Sequence, residues 1–92
     1  MKEILMEKLE NCFERAIATG AKYIAVMVAM DSLPEPEIII NPAENIQGKL
    51  EYYKYAYNDN LTLKSYDRIR IVGFTFGNSI DEMKKVLYEF RK

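Results

Sequence analysis

A chain of 92 residues with a net charge of −1 and nearly half its residues apolar fits one globular domain and is too apolar for a disordered segment. It has no histidine and one cysteine, Cys12. That excludes an internal disulfide, the usual zinc sites and His-assisted nucleophiles, so neither enzymatic activity nor a metal or other cofactor is expected.

The opening "MKEILMEKLENC" mixes acids and bases and does not read as a signal peptide. Residues 2–19 form a predicted helix. Leu5, Leu9, Cys12, Phe13 and Ala16 share its apolar face, and Glu3, Glu7, Glu10 and Glu14 line the other. Gly20 is placed to end it in the left-handed conformation. Cys12 reads as a small packed hydrophobe, because no basic neighbour is obvious that would lower its pKa.

"KYIAVMVAM" (22–30) is a strand apolar on both faces, which requires cover on both sides. Its apolar run is far too short to span a bilayer, so a cytoplasmic protein with no membrane partner is expected. "DSLPEP" (31–36) is a turn and "EIII" (37–40) a second strand, antiparallel to the first. "NPAE" (41–44) reads as a helix start, with Asn41 as cap, Pro42 at the first helical position and Glu44 reaching back. That helix runs to about Tyr57, and "NDN" (58–60) breaks it. "LTLK" (61–64) is a short strand, "SYD" (65–67) a turn and "RIRIVGFTF" (68–76) a long strand. "NSIDE" (78–82) starts the last helix with Ser79 and Glu82 at capping-box spacing, and Ile80, Met83, Val86, Leu87 and Phe90 form its apolar face.

The fold class is therefore α+β, in the order α-ββα-ββα, with three helices and a mostly antiparallel four-stranded sheet. A shift of 37 residues lays the second helix on the third, matching positions 43/80, 46/83, 50/87 and 53/90. Any two capped amphipathic helices align this way, so the match does not require a duplication.

Four tyrosines crowd "EYYKYAYNDN": Tyr52, Tyr53, Tyr55 and Tyr57. At about 100° per residue, Tyr53 and Tyr57 join Ala43, Ile46 and Leu50 on the core side, while Tyr52 and Tyr55 lie roughly 140–160° away. Gly48 shares that outer side, at a cost of about 0.8–1 kcal/mol relative to alanine. Tyrosine offers large apolar area with little rotamer entropy, which suits self-association or ligand stacking.

Arg68 and Arg70 alternate on the long strand, about 6.7 Å apart on one face, and could grip a phosphate or carboxylate. An unbroken strand carries the same face on through Val72, Phe74 and Phe76, which calls for cover by a helix or a second chain. In a hairpin Arg70 falls opposite about residue 62, which brings the arginines toward the end of the tyrosine helix. The candidate ligand contacts are thus Arg68, Arg70, Tyr52, Tyr55 and Tyr57, with the helix-start residues Asn41, Asn78 and Ser79. The candidate interface of a homodimer is Gly48, Tyr52, Tyr55, Phe74 and Phe76. Near-zero net charge speaks against a DNA or RNA partner. Residues 1–60 carry six Lys/Arg against ten Asp/Glu, and residues 61–92 carry seven against four, so a small anion favours the second half.

The stretch "EIIINPAENIQGKLEYYKYAYNDNLTLKSYDRIRIVGFTFGNS" resembles small accessory proteins encoded by phages and prophages of Gram-positive bacteria. The similar features are the strand–Asn–Pro–x–Glu–Asn start, the Lys-Leu-Glu-Tyr-Tyr-Lys helix ending in Tyr-Asn, and the Ile-x-Ile-Val-Gly-Phe-x-Phe-Gly strand. The resemblance implies a short accessory phage gene product in an infected or lysogenic cell, and many such products counter host defence. Such a protein either sequesters a phosphorylated nucleotide-type immune signal or inhibits a host defence protein by direct contact.

Overall fold

A computed structural model describes residues 5–90. The elements are helix α1 (Leu5–Thr19), strands β1 (Tyr23–Met30) and β2 (Glu37–Pro42), a 3-10 turn (Ala43–Asn45), helix α2 (Ile46–Ala56), strands β3 (Thr62–Leu63) and β4 (Tyr66–Gly77), and helix α3 (Ile80–Phe90). The four strands form one sheet in the order β2-β1-β4-β3, with every neighbouring pair antiparallel. The fold is α+β, in the expected α-ββα-ββα order. Residues 2–4 of the first predicted helix and the side chain of Phe90 lie outside the described residues.

α1 buries Met6, Leu9, Phe13 and Ala16, one stripe at spacings of three and four. Leu5 was expected in that stripe, but it is exposed, and Met6 takes its place. Gly20 ends the helix at φ +69°, and the Ala21 N–H donates to the Ala16 carbonyl.

β1 is covered on both sides within a single chain. Ile24, Val26 and Val28 pack with α1 and α2 through Leu9, Phe13, Ile46, Leu50 and Tyr53. Ala25 and Met27 pack with Met83 and Leu87 of α3 on the other side. The doubly apolar strand therefore gives no reason for a second copy. α2 and α3, the two helices that align in sequence, lie on opposite faces of the sheet. Their hairpins also differ, since β1 is central whereas β3 is a two-residue edge strand.

Asn41 does not cap α2. The β1–β2 ladder continues through the pairs Ile24–Asn41 and Tyr23–Pro42, and the Ala43 N–H still donates to the Lys22 carbonyl. A 3-10 turn follows, and α2 begins only at Ile46, with no side-chain cap bond from Asn45. Pairing with a central strand outweighs a local capping signal here. The donor pattern also explains a proline inside the strand. The Asp31 N–H donates to the Arg68 carbonyl, so odd-numbered residues of β1 bond toward β4 and even-numbered ones toward β2. On β2 that leaves Ile38, Ile40 and Pro42 turned to the free edge, where the missing proline N–H costs nothing.

β4 contains a bulge. Met27 pairs with Gly73 and Val28 with Ile71, so Val72 has no partner. The extra residue reverses the alternation. Ile69, Ile71, Phe74 and Phe76 face α1 and α2, while Gly73 and Gly77 face α3. A methyl group at Gly73 would sit 3.2 Å from Leu87 Cδ2, and one at Gly77 would sit 3.4 Å from Met83 Cγ. The glycines thus form the floor on which α3 rests.

Candidate functional site

The site grows from the two-sidedness of α2. Leu50 and Tyr53 point into the core, and the rings of Phe13, Tyr52 and Tyr57 surround Tyr53 edge-on at centroid distances of 5.9, 5.4 and 5.6 Å. Burial, with the neighbouring Tyr57 and Tyr52, pushes the Tyr53 phenol up to about 12, and burial moves Tyr57 in the same direction. Tyr52 and Tyr55 face outward with 48% and 81% of their surface exposed. The tyrosines therefore divide two in and two out.

The turn after α2 supplies the opposite wall. The Asn58 N–H donates to the Thr62 carbonyl, and Asn60 Oδ1 accepts from both the Thr62 N–H and its hydroxyl. Leu61 takes φ 67°, an uncommon conformation for leucine. It is held there because its side chain is buried and its carbonyl accepts the Ile71 N–H. The Lys64 N–H then returns to the Ala56 carbonyl at 2.9 Å, which ties the segment to the end of α2 rather than extending β3. Tyr52, Tyr55 and Ala56 on one side and Leu63, Lys64 and Ser65 on the other enclose an open groove of about 420 Å³.

Two cations attend the outer rings. Lys64 Nζ lies 6.0 Å from the Tyr55 ring centroid, and Lys49 Nζ lies 5.3 Å from that of Tyr52. Gly48 borders a second shallow cleft beside Tyr52, and a methyl group added there would meet nothing within 4 Å. The sequence pattern alone marks neither lysine as a site residue. Lys49 was within reach, because it precedes Tyr52 by three residues on a helix. Lys64 was not, because its place depends on the turn.

The structure separates the other predicted residues from this groove. Arg70 does lie opposite Thr62. However, it stands beside Ala29 on the α3 side of the sheet, and Arg68 shares that side by alternation, whereas α2 covers the opposite side. The expected continuation of the arginine face into Phe74 and Phe76 is broken by the bulge at Val72. Arg70 Nη1 is 4.0 Å from Asp31 Oδ1, a loose pair between half-exposed side chains. Tyr57 is buried, and Asn41 is buried within the β1–β2 ladder, so both offer little surface to a ligand. Asn78 Oδ1 accepts the Lys22 N–H at 3.0 Å and fastens the start of α3 to the start of β1. Ser79 Oγ accepts the Glu82 N–H at 3.4 Å, as the capping signal predicts. Phe74 and Phe76 pack against the α1–α2 core, so they do not form one surface with Gly48, Tyr52 and Tyr55.

Among the described residues no group of three His, Cys, Asp or Glu could hold a metal ion, and no helix is long and apolar enough to cross a membrane. Comparison with known proteins finds no matching family model, no similar curated protein and no similar solved structure.

Proposed function

We propose that the protein is a non-enzymatic binding protein that sequesters a phosphorylated nucleotide-type ligand on the α2 groove. The observation that carries this is the placement of Lys64 against the exposed Tyr55 ring in the groove, with Lys49 over the Tyr52 ring from the neighbouring cleft. Exposed aromatic faces beside cations support base stacking with charge for the phosphates, and such sites work without an enclosed cavity. Relative to the sequence-based expectation, the lysines replace Arg68 and Arg70 as the phosphate contacts. The resemblance to phage accessory proteins supplies the setting of this reading: a cytoplasmic counter-defence protein, acting as a homodimer on a nucleotide immune signal.

Calorimetry with ADP-ribose and a cyclic dinucleotide tests it. Wild type binds without turning the ligand over. Tyr55→Ala and Lys64→Ala each weaken binding roughly 10- to 100-fold, and Arg70→Ala leaves it unchanged. No binding below about 100 μM would end the nucleotide reading. The second reading, a protein–protein inhibitor of a host defence protein, would then stand. It is favoured by the degree to which Tyr55 stands clear of its surroundings and by the free space over Gly48, both of which suit a broad partner surface.

A further inference from the structure

One edge of the sheet carries a signal independent of the groove. At the β3 side the strand is only two residues long and pairs with β4 no further than Arg70, so residues 72–77 of β4 also lack a strand partner there. β2, at the other edge, is six residues long, and it turns the N–H and C=O groups of Ile38 and Ile40 outward. Ile38, Ile39 and Ile40 all remain partly exposed in the single chain. No lysine, bulge or inward-pointing charge blunts this edge between its two prolines.

The sequence along that edge reads nearly the same in both directions: Pro36-Glu37-Ile38-Ile39-Ile40-Asn41-Pro42. A two-fold axis needs this kind of self-matching, because an isologous contact sets each residue against its mirror position. We infer that two copies of the chain join through β2, antiparallel and centred on Ile39, into one eight-stranded sheet.

In that register Ile38 of each copy exchanges both backbone hydrogen bonds with Ile40 of the other. All four outward N–H donors then lie opposite isoleucine carbonyls. Ile39 meets Ile39 at a non-hydrogen-bonded position, where Cα atoms come within about 4.5 Å. Side chains match on both faces. Ile38 and Ile40, which already pack beside Met27 and Ala25 on the α3 side, form a continuous apolar row across the junction. Each Glu37 falls opposite Asn41, so no like charges oppose one another. The prolines bracket the edge and limit how far the pairing can slide. The junction involves two short strands only, so it makes a weak interface rather than an obligate one.

Sedimentation equilibrium from about 1 to 500 μM tests the inference. Wild type shows a monomer–dimer equilibrium, and Ile40→Pro weakens it at least about tenfold. This proline removes a donor that points away from β1, together with the isoleucine side chain that packs beside Ala25, so circular dichroism verifies that the fold survives. A second measurement is independent of that variant. In a Cys12→Ser background, Ile39→Cys forms an inter-chain disulfide on mild oxidation, because the two sulfurs meet at the axis. Val72→Cys, exposed on β4, serves as the control. A chain monomeric throughout the range would overturn the inference. So would Ile39→Cys linking no faster than the control, or a dimer abolished by Tyr52→Glu and indifferent to Ile40→Pro.

Discussion

Gly73→Ala tests whether α3 is held by close contact with β4. The new methyl group would lie 3.2 Å from Leu87 Cδ2 and 3.7 Å from Met27 Cβ. Leu87 and Met27 are 0% and 1% exposed, so neither has free space to move into. Overpacking of this kind costs about 1–3 kcal/mol. Replacing a strand glycine returns about 0.5–1 kcal/mol through the unfolded chain. The expected net loss is therefore roughly 0–2.5 kcal/mol, and each kcal/mol lowers the melting temperature by about 4–8 °C. The sharper test is a double-mutant cycle in urea. Leu87→Ala alone should cost about 2–5 kcal/mol by opening a cavity. In that background Gly73→Ala should be neutral or stabilising, since the methyl group enters the space that leucine vacated. The two changes should thus couple by about 1–3 kcal/mol. If Gly73→Ala changes stability by the same amount with and without Leu87, the reasoning about the glycine floor is refuted.

Two further outcomes follow from burial. The Cys12 thiol is raised to about 11 by burial, despite the opposing pull of Arg15. At pH 8 its thiolate is roughly 100-fold scarcer than that of an ordinary cysteine, so native protein should react with iodoacetamide about that much more slowly than urea-unfolded protein. A native rate within tenfold of the unfolded rate would contradict this. Tyr53, raised to about 12, stabilises the fold while it stays neutral. That contribution is complete below the ordinary tyrosine value near 10 and disappears as the pH rises through 12, a loss of roughly 2–3 kcal/mol. Urea melts at increasing pH should show the decline in wild type and a shallower one in Tyr53→Phe. Equal declines would remove Tyr53 as the cause.

Much of this molecule was legible along the chain, because periodicity is local. The order of elements follows from where spacing changes between two and 3.6 residues. The inward Tyr53 and outward Tyr55 follow from helix angle alone, and Gly20 and Ser79 mark helix ends with short-range chemistry. What periodicity leaves open is which distant segment takes each face and each backbone bond. The Asn41 cap lost to a ladder with β1, a partner fifteen or more residues away in sequence. The extra residue at Val72 is hinted at in "RIRIVGFTF" only by the neighbouring Gly73, which suits a bulge and a close approach equally, yet it sends the arginines and the phenylalanines to opposite sides of the sheet. Lys64 reaches the tyrosines only through its return bond to Ala56. The sequence by itself determined the elements and their apolar faces, since side-chain spacing acts within a few residues. The tertiary structure alone decided the composition of the groove, since that depends on pairings made across the sheet.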